Sequence, residues 1–498
     1  MVICSLTRAS AREAARAIDL PDSQIGTLHS LVYHQLGRPT IAEGKIREWN
    51  EQYANWALDV HGVSVDDPYG KPVERQKQGA PTSGDDLMQE MSKFRTRQIP
   101  RSDWPGHIKH FAERWDDWKQ QSGYMDFTDL LETALTDIDQ APGHPAVLML
   151  DEAQDVGRLE MALLQKWSHY VEHLVIAGDY HQSLFQWRGS DPEVMMLPGA
   201  TVKVLEQSYR IPRAVLPIAM RWMARTKLPP VAYRARDFPG VVRQSGVTIL
   251  EPELLARQLE PALAANKTIM LLVTCKYMLD GILRAFQAAG LPYHNPWRPT
   301  QGNWNPLAPG GRRGVTFHER VLAFLRLSPE VYGEEARFWT VKELKAWGKA
   351  LPTPGTFKRG MKPDLERCPE SMSDEALARK LPEWFTPTAL EYILTCNWQW
   401  YCATAEGGAI SKPLVERILH HRGAEALRKK PQVIVGTVHS LKGTEADHIY
   451  VFPDVSPTAY YSGVGFREEI ARVFYVAISR TKEELVLCSP STGMCVNW

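Results

Sequence analysis

Short, nearly continuous apolar runs punctuate the chain: VICSL (2–6), AVLML (146–150), HLVIAG (173–178), TVKVL (201–205), TIMLLV (268–273), QVIVGTV (432–438), HIYVFP (448–453) and ELVLCS (484–489). Several precede stretches of helical periodicity, such as RASAREAARAI and YMLDGILRAFQAAG. Strands that are apolar at every position, alternating with amphipathic helices, predict parallel sheets covered on both faces, the α/β class. The runs form an early group ending near residue 205 and a later group that closes the chain, which predicts two sheets. Residues 39–122 and 300–425 lack such runs and are rich in Trp, charge and helix formers. They read as helical insertions. The tryptophans of IREWNEQYANWALDV and HIKHFAERWDDWKQQSG recur at near-helical spacing and are expected to anchor a core.

Composition adds limits. The 498 residues, 44% of them hydrophobic, suffice for several packed cores. Lys plus Arg (58) equals Asp plus Glu (58), so there is no global basic excess, although a basic groove can hide in a neutral sum. Seven scattered cysteines without C-x-x-C spacing predict reduced thiols and a cytoplasmic protein, not a disulfide framework or a zinc site. No apolar run approaches 18 residues and the N-terminus has no signal-peptide pattern, so no membrane partner is expected.

The candidate chemistry lies where strands end. In a parallel α/β sheet, ligands bind beyond the carboxyl ends of the strands. In VLMLDEAQDV that place falls to Asp151 and Glu152. A carboxylate there suits Mg²⁺, which keeps most of its waters, and its neighbour suits the orientation of an attacking water. After HLVIAG comes DYHQSLFQWRGSDPE, with Gln182 placed to sense a terminal phosphate and Phe185, Trp187 and Arg188 forming a platform for bases. Taken singly, an acidic pair at a strand end or a buried aromatic pair explains each equally well. The two junctions together are harder to obtain by chance.

D-E-A-Q-D followed by G-D-x-x-Q-S-L-F-Q-W-R-G resembles motifs II and III of superfamily 1 DNA helicases of the UvrD/Rep type. The other segments follow in that family's order. CSLTRASARE (4–13) resembles motif Ia, GTLHSLVYHQLG (26–37) motif Ib, and MDFTDLL (125–131) the segment before motif II. LEQSYRIP (205–212) resembles motif IV, GTVHSLKGTEADHIYV (436–451) motif V, and EEIARVFYVAISRTKEELVL (468–487) motif VI. The resemblance implies two RecA-like domains, 1–38 with 123–203 and 204–299 with 426–498, carrying insertions at 39–122 and 300–425. It implies ATP and Mg²⁺ as cofactors and hydrolysis coupled to 3′ to 5′ movement on single-stranded or tailed duplex DNA. Asp151 would bind Mg²⁺ and Glu152 would activate water, while Gln154 and Gln182 would contact the phosphate region. Tyr209 would stack on adenine, Glu445 would bind the ribose, and Arg210 and Arg480 would supply cations to the transferred phosphoryl group from the opposite domain. For DNA the resemblance points to Thr7, Arg8, Thr27, His29, Phe185, Trp187, His439 and Lys442.

One part of the pattern is missing. The family carries a G-x-x-x-x-G-K-[ST] phosphate loop ahead of motif Ia, and none of the 498 residues form one; YGKPVE (69–74) and AWGKAL (346–351) lack the spacing. Its strand is expected beside the one that ends at Asp151. Three readings stay open: a truncated or split chain, a subunit completed by a separate phosphate-loop polypeptide, and an inactive single-strand-binding remnant.

Overall fold

The computed structural model describes residues 1–5, 20–21, 24–59, 83–298, 302, 304–310, 314–408, 411–461 and 464–498. The chain divides into two compact units. The first comprises 1–242, 438–445 and 455–483, and the second 243–437, 446–454 and 484–498.

The first unit is built on a four-stranded sheet of β1 (Val2–Ser5), β2 (Ile25–Thr27), β3 (Val147–Asp151) and β4 (His173–Ile176), in the order β2-β1-β3-β4. All pairings are parallel, with Ile3 opposite Met149, Ser5 opposite Asp151 and Leu148 opposite Leu174. Every residue of β1 is buried, as an apolar run covered on both faces requires. Val2, Cys4, Leu148 and Leu150 pack with Leu130, Leu131, Leu163, Leu164 and Trp167 from the helices Phe127–Asp137 and Arg158–Ser168. A second core of this unit is helical. Trp49, Phe111, Trp115 and Trp118 meet at ring-centroid distances of 5.0 to 5.9 Å, so these tryptophans are core anchors as their spacing predicts. The same unit holds a parallel pair, β5 (Gln207–Pro212) with β6 (Arg234–Arg236).

The second sheet contains β7 (Val241–Gln244), β8 (Ile269–Val273), β9 (Tyr293–His294), β10 (Val433–Thr437), β11 (Ala446–Val451) and β12 (Thr481–Leu487), ordered β7-β12-β11-β8-β10-β9. Its centre is parallel: Leu271 of β8 lies opposite Val435 on one side and Tyr450 on the other, and β8 and β10 are buried throughout. A separate helical core gathers Phe324, Trp339, Trp347, Trp384 and Tyr401. The α/β class with parallel sheets is therefore the observed one.

Three expectations change. TVKVL (201–205) forms no strand and lies exposed. The short strands β2, β5, β6, β7 and β9 have no long apolar run to announce them. The strand ending at Asp151 has no vacant side, because β1 and β4 flank it, so the phosphate-loop strand expected directly beside it has no place there. The predicted helix over RASAREAARAI lies outside the described residues. No described helix is long and apolar enough to cross a membrane.

Candidate functional site

β3 delivers Asp151 to its carboxyl end, half-buried, and the chain then turns sharply. Glu152 takes up the left-handed conformation at φ 56°, a strained choice for a residue with a Cβ. The following one-turn helix, Ala153–Asp155, buries Gln154 completely. Gln154 donates from Nε2 to Glu152 Oε2 at 2.5 Å and accepts from the Asp179 backbone N–H at 3.0 Å. The tip of β3 is thereby tied to the tip of β4.

Asp179 is the next node. Its Oδ2 accepts from Gln182 Nε2 (2.8 Å), from the Tyr475 hydroxyl (3.1 Å) and from the Tyr233 hydroxyl (3.3 Å). Burial and the Asp179 charge push the Tyr475 phenol far above its ordinary range, so it remains a donor. Gln182 presents its Oε1 to Arg480 Nη2 at 2.5 Å. Arg480 itself is buried; burial first, then the charge of Arg210, brings its guanidinium down to about 10, which leaves it cationic at neutral pH. One hydrogen-bonded chain thus runs Glu152, Gln154, Asp179, Gln182, Arg480.

Arg210, on β5, donates from Nε to Glu445 Oε2 at 2.5 Å, and Lys482 Nζ meets the other oxygen, Oε1, at 2.6 Å. Partial burial works against ionisation of Glu445, but Lys482 and Arg210 outweigh it and hold the carboxyl below its usual range. Tyr209, one residue before Arg210, is 85% exposed and offers an open ring face.

A third group surrounds Lys442. Its ammonium pairs with Asp155 Oδ2, stands 3.7 Å from Glu152 Oε2, and lies 5.5 Å from the centroid of the Phe185 ring. The His439 ring is 6.4 Å from the same phenyl group. Burial pushes Asp155 up to about 6 against the pull of Lys442, and burial with the Lys442 charge pushes His439 down to about 4. Phe185 and Trp187 are both buried, at 8% and 9% exposed, and the Trp187 indole N–H has no hydrogen-bond partner. The Arg188 guanidinium lies 5.8 Å from the Trp187 ring centroid.

Elsewhere, Thr27 caps the helix Leu28–Gln35, accepting from the Ser30 N–H at 3.2 Å, and His29 packs edge-on against Phe127. Burial, and secondarily the charge of Arg188, hold His29 at about 4. Thr7 and Arg8 lie outside the described residues. All other residues singled out in the sequence belong to the first unit. Five further participants went unassigned: Tyr233, which lies between the motifs, and Asp155, Asp179, Tyr475 and Lys482. Asp179 had a signal, since it follows β4 and Ala177-Gly178 much as Asp151 ends β3. Asp155, Tyr475 and Lys482 sit in motif-like segments with nothing in their spacing to single them out.

Parallel sheets with carboxylates and amides at adjoining strand tips, answered by the buried Arg480 and the half-buried Arg210, define an α/β protein of RecA-like helicase architecture. A profile of the UvrD/REP helicase N-terminal domain matches residues 2–200, and one of the UvrD-like helicase C-terminal domain matches residues 406–492. Together they cover more than half of the chain, which belongs to the UvrD/Rep helicase family. It is 23% identical over 209 residues to the putative ATP-dependent DNA helicase YjcD of Bacillus subtilis, a match covering 37% of this chain and 26% of that protein. It is 31% identical over 110 residues to the ATP-dependent DNA helicase PcrA of the same organism, covering 20% of this chain and 15% of PcrA. PcrA of Staphylococcus aureus is 27% identical over 104 residues, 18% of this chain and 14% of that protein. The matched stretches therefore span at most 26% of these relatives' own length.

Proposed function

We propose that this chain is the motor of an ATP-dependent DNA helicase or translocase that moves 3′ to 5′ on single-stranded DNA in the cytoplasm. The observation that carries the reading is the hydrogen-bonded chain from Glu152 through Gln154, Asp179 and Gln182 to Arg480. It links a strand-tip carboxylate to a buried cation, the two charges that phosphoryl transfer to water needs on opposite sides of the reacting group. The donor set fits half of a nucleotide site. Tyr209 offers a face to adenine, Glu445 an acceptor to ribose hydroxyls, and Arg210 and Arg480 planar donors to phosphate oxygens. Asp151 would hold Mg²⁺ through its waters, and the ion would neutralise phosphate charge; among the described residues no group of three or more His, Cys, Asp or Glu side chains could hold a metal unaided. Glu152 orients the attacking water, and Gln154 and Gln182 report the terminal phosphate to both strand tips. Single-stranded or tailed duplex DNA is the substrate, met by Thr7, Arg8, Thr27, His29, Phe185, Trp187, His439 and Lys442. Because Phe185 and Trp187 are buried, base stacking there requires their loop to open.

The phosphate-loop half must come from outside these 498 residues, from a segment or polypeptide bearing G-x-x-x-x-G-K-[ST]. The absence of that loop from the sequence favours a second reading, single-strand binding without hydrolysis. DNA-stimulated ATP turnover, measured with such a polypeptide added, decides between them. Glu152→Gln is expected to lower turnover at least about 100-fold with single-strand affinity unchanged. Absence of turnover in either protein, with DNA binding intact, supports the second reading. Unwinding of 3′-tailed but not 5′-tailed duplexes checks the polarity.

A further inference from the structure

One cleft of the first unit is used neither by the nucleotide reading nor by the DNA contacts. It encloses about 590 Å³, a volume within the range of small-molecule sites. Four helices wall it: Gly84–Thr96, Gly106–Ser122, Phe127–Asp137 and Arg158–Ser168. Part of the wall is apolar, from the buried Met91, Trp104 and Leu159. The Trp104 indole N–H donates to the Ile99 carbonyl at 2.8 Å, which fixes the ring.

The rest of the wall is charged, and its charges do not cancel. A single ion-paired network joins the carboxylates of Asp116, Asp126, Asp129 and Glu132 to the cations Arg95, Lys119 and Arg101. One negative charge is left over. Two of the cations are spent inside the network: Arg95 donates from Nε, Nη1 and Nη2 to carboxylates, and the buried Lys119 donates to Asp126 and Asp129, each at 2.6 Å. Neither is left to receive an anion.

Arg101 differs. It sits on the turn Arg101–Asp103 with its side chain half exposed, its guanidinium 5.5 Å from the Trp104 ring centroid and its Nη2 donating to Asp116 at 2.8 Å. A planar cation beside an indole ring, tied to a carboxylate, is the way a guest cation would be held. The chain thus supplies its own occupant, through an exposed pair that contributes little to stability and can be displaced.

We propose that this cleft binds a small organic cation of the guanidine or amine class. Its charged head replaces Arg101 against Trp104 and Asp116, and its apolar body lies along Met91 and Leu159. The excess carboxylate charge selects the cation, and the apolar wall disfavours metal ions and other strongly hydrated guests. Met91, Trp104 and Ala112 belong to the helical core of the 39–122 insertion, whereas Leu159 belongs to the core under the first sheet. An occupant therefore braces the insertion against the sheet.

The test is isothermal titration calorimetry of the full chain with phenethylguanidine, and with phenethylurea as its neutral isostere. The guanidine is expected to bind with a Kd of about 1 mM or tighter, as suits a ligand of about a dozen heavy atoms, and the urea at least tenfold more weakly. Arg101→Ala frees Trp104 and Asp116 and should tighten guanidine binding at least about threefold, whereas Glu132→Gln cancels the excess charge and should weaken it at least about threefold. Thr136→Trp, on the exposed part of the wall, fills the cleft and should abolish binding. Circular dichroism checks the fold of each variant; should Glu132→Gln be unfolded, Arg101→Ala and Thr136→Trp, both at exposed positions, decide. The proposal is overturned by equal binding of guanidine and urea, by weaker binding in Arg101→Ala, by undiminished binding in Thr136→Trp, or by no binding at about 10 mM guanidine.

Discussion

Several residues of the strand-tip cluster are held in the charge state that suits their burial, and this makes their effect on stability depend on pH. The His439 imidazole, pushed down to about 4, is neutral in the folded chain where an unfolded chain begins to protonate near 6.5. A depressed value means that the stabilisation is present above the unfolded value and is lost as pH falls from about 6.5 towards 4. Urea denaturation at pH 7 and pH 4.5 should therefore show a larger loss for the wild type than for His439→Asn, by roughly 2 kcal/mol. Asp155 works in the other direction: its raised value makes the folded chain lose stability as pH rises from about 4 to about 6. Asp155→Asn should flatten that limb. A measured difference of the opposite sign would mean that Lys442, not burial, controls Asp155.

Among the elements, the strongest tie is a buried knot of charge at the start of the helix Phe127–Asp137. Asp126 caps that helix and accepts from Arg95 (2.8 Å), Lys119 (2.6 Å) and the Trp115 indole N–H (2.9 Å). Burial opposes ionisation, yet Arg95 and Lys119 hold its carboxyl well below the carboxylate range. Three helices, Gly84–Thr96, Gly106–Ser122 and Phe127–Asp137, are joined at one carboxylate. Asp126→Ala leaves two buried cations short of a partner and removes a helix cap, so it should cost about 3 to 5 kcal/mol by chemical denaturation. This scale was also where the sequence was partly silent. MDFTDLL was legible as a motif, but its charge partners lie 7 and 31 residues away along the chain, distances that no local period encodes. TVKVL misled for the opposite reason: its alternation is right for a strand, but a strand needs a neighbour, and pattern reports only the willingness to pair. Continuous apolar runs such as β8 and β10 were legible because both of their faces are buried.

For the whole molecule, strand ends alone singled out Asp151, Glu152 and Gln182, whereas Gln154, Arg210, Glu445 and Arg480 were singled out only by the helicase resemblance. What could not be read is the company they keep: Lys482 on Glu445, and Tyr475 and Tyr233 on Asp179. Trp187 is the clearest test at this scale, since its ring is buried while its indole N–H has no hydrogen-bond partner. Trp187→Ala should weaken single-strand affinity by about 1 to 3 kcal/mol in fluorescence titrations if the ring receives a base. Unchanged affinity with reduced stability would make it core alone.

The first unit draws on three separated stretches of chain, with Lys442, Glu445, Tyr475 and Arg480 contributed only by the last two. During synthesis, residues 1–242, most of that unit, must therefore wait for residues 438–445 and 455–483 before its tip contacts can close. Release of a nascent chain at residue 437 would leave a sheet with carboxylates but without Lys442, Tyr475 and Arg480, a product that a ribosome-stalling assay should find still open to protease.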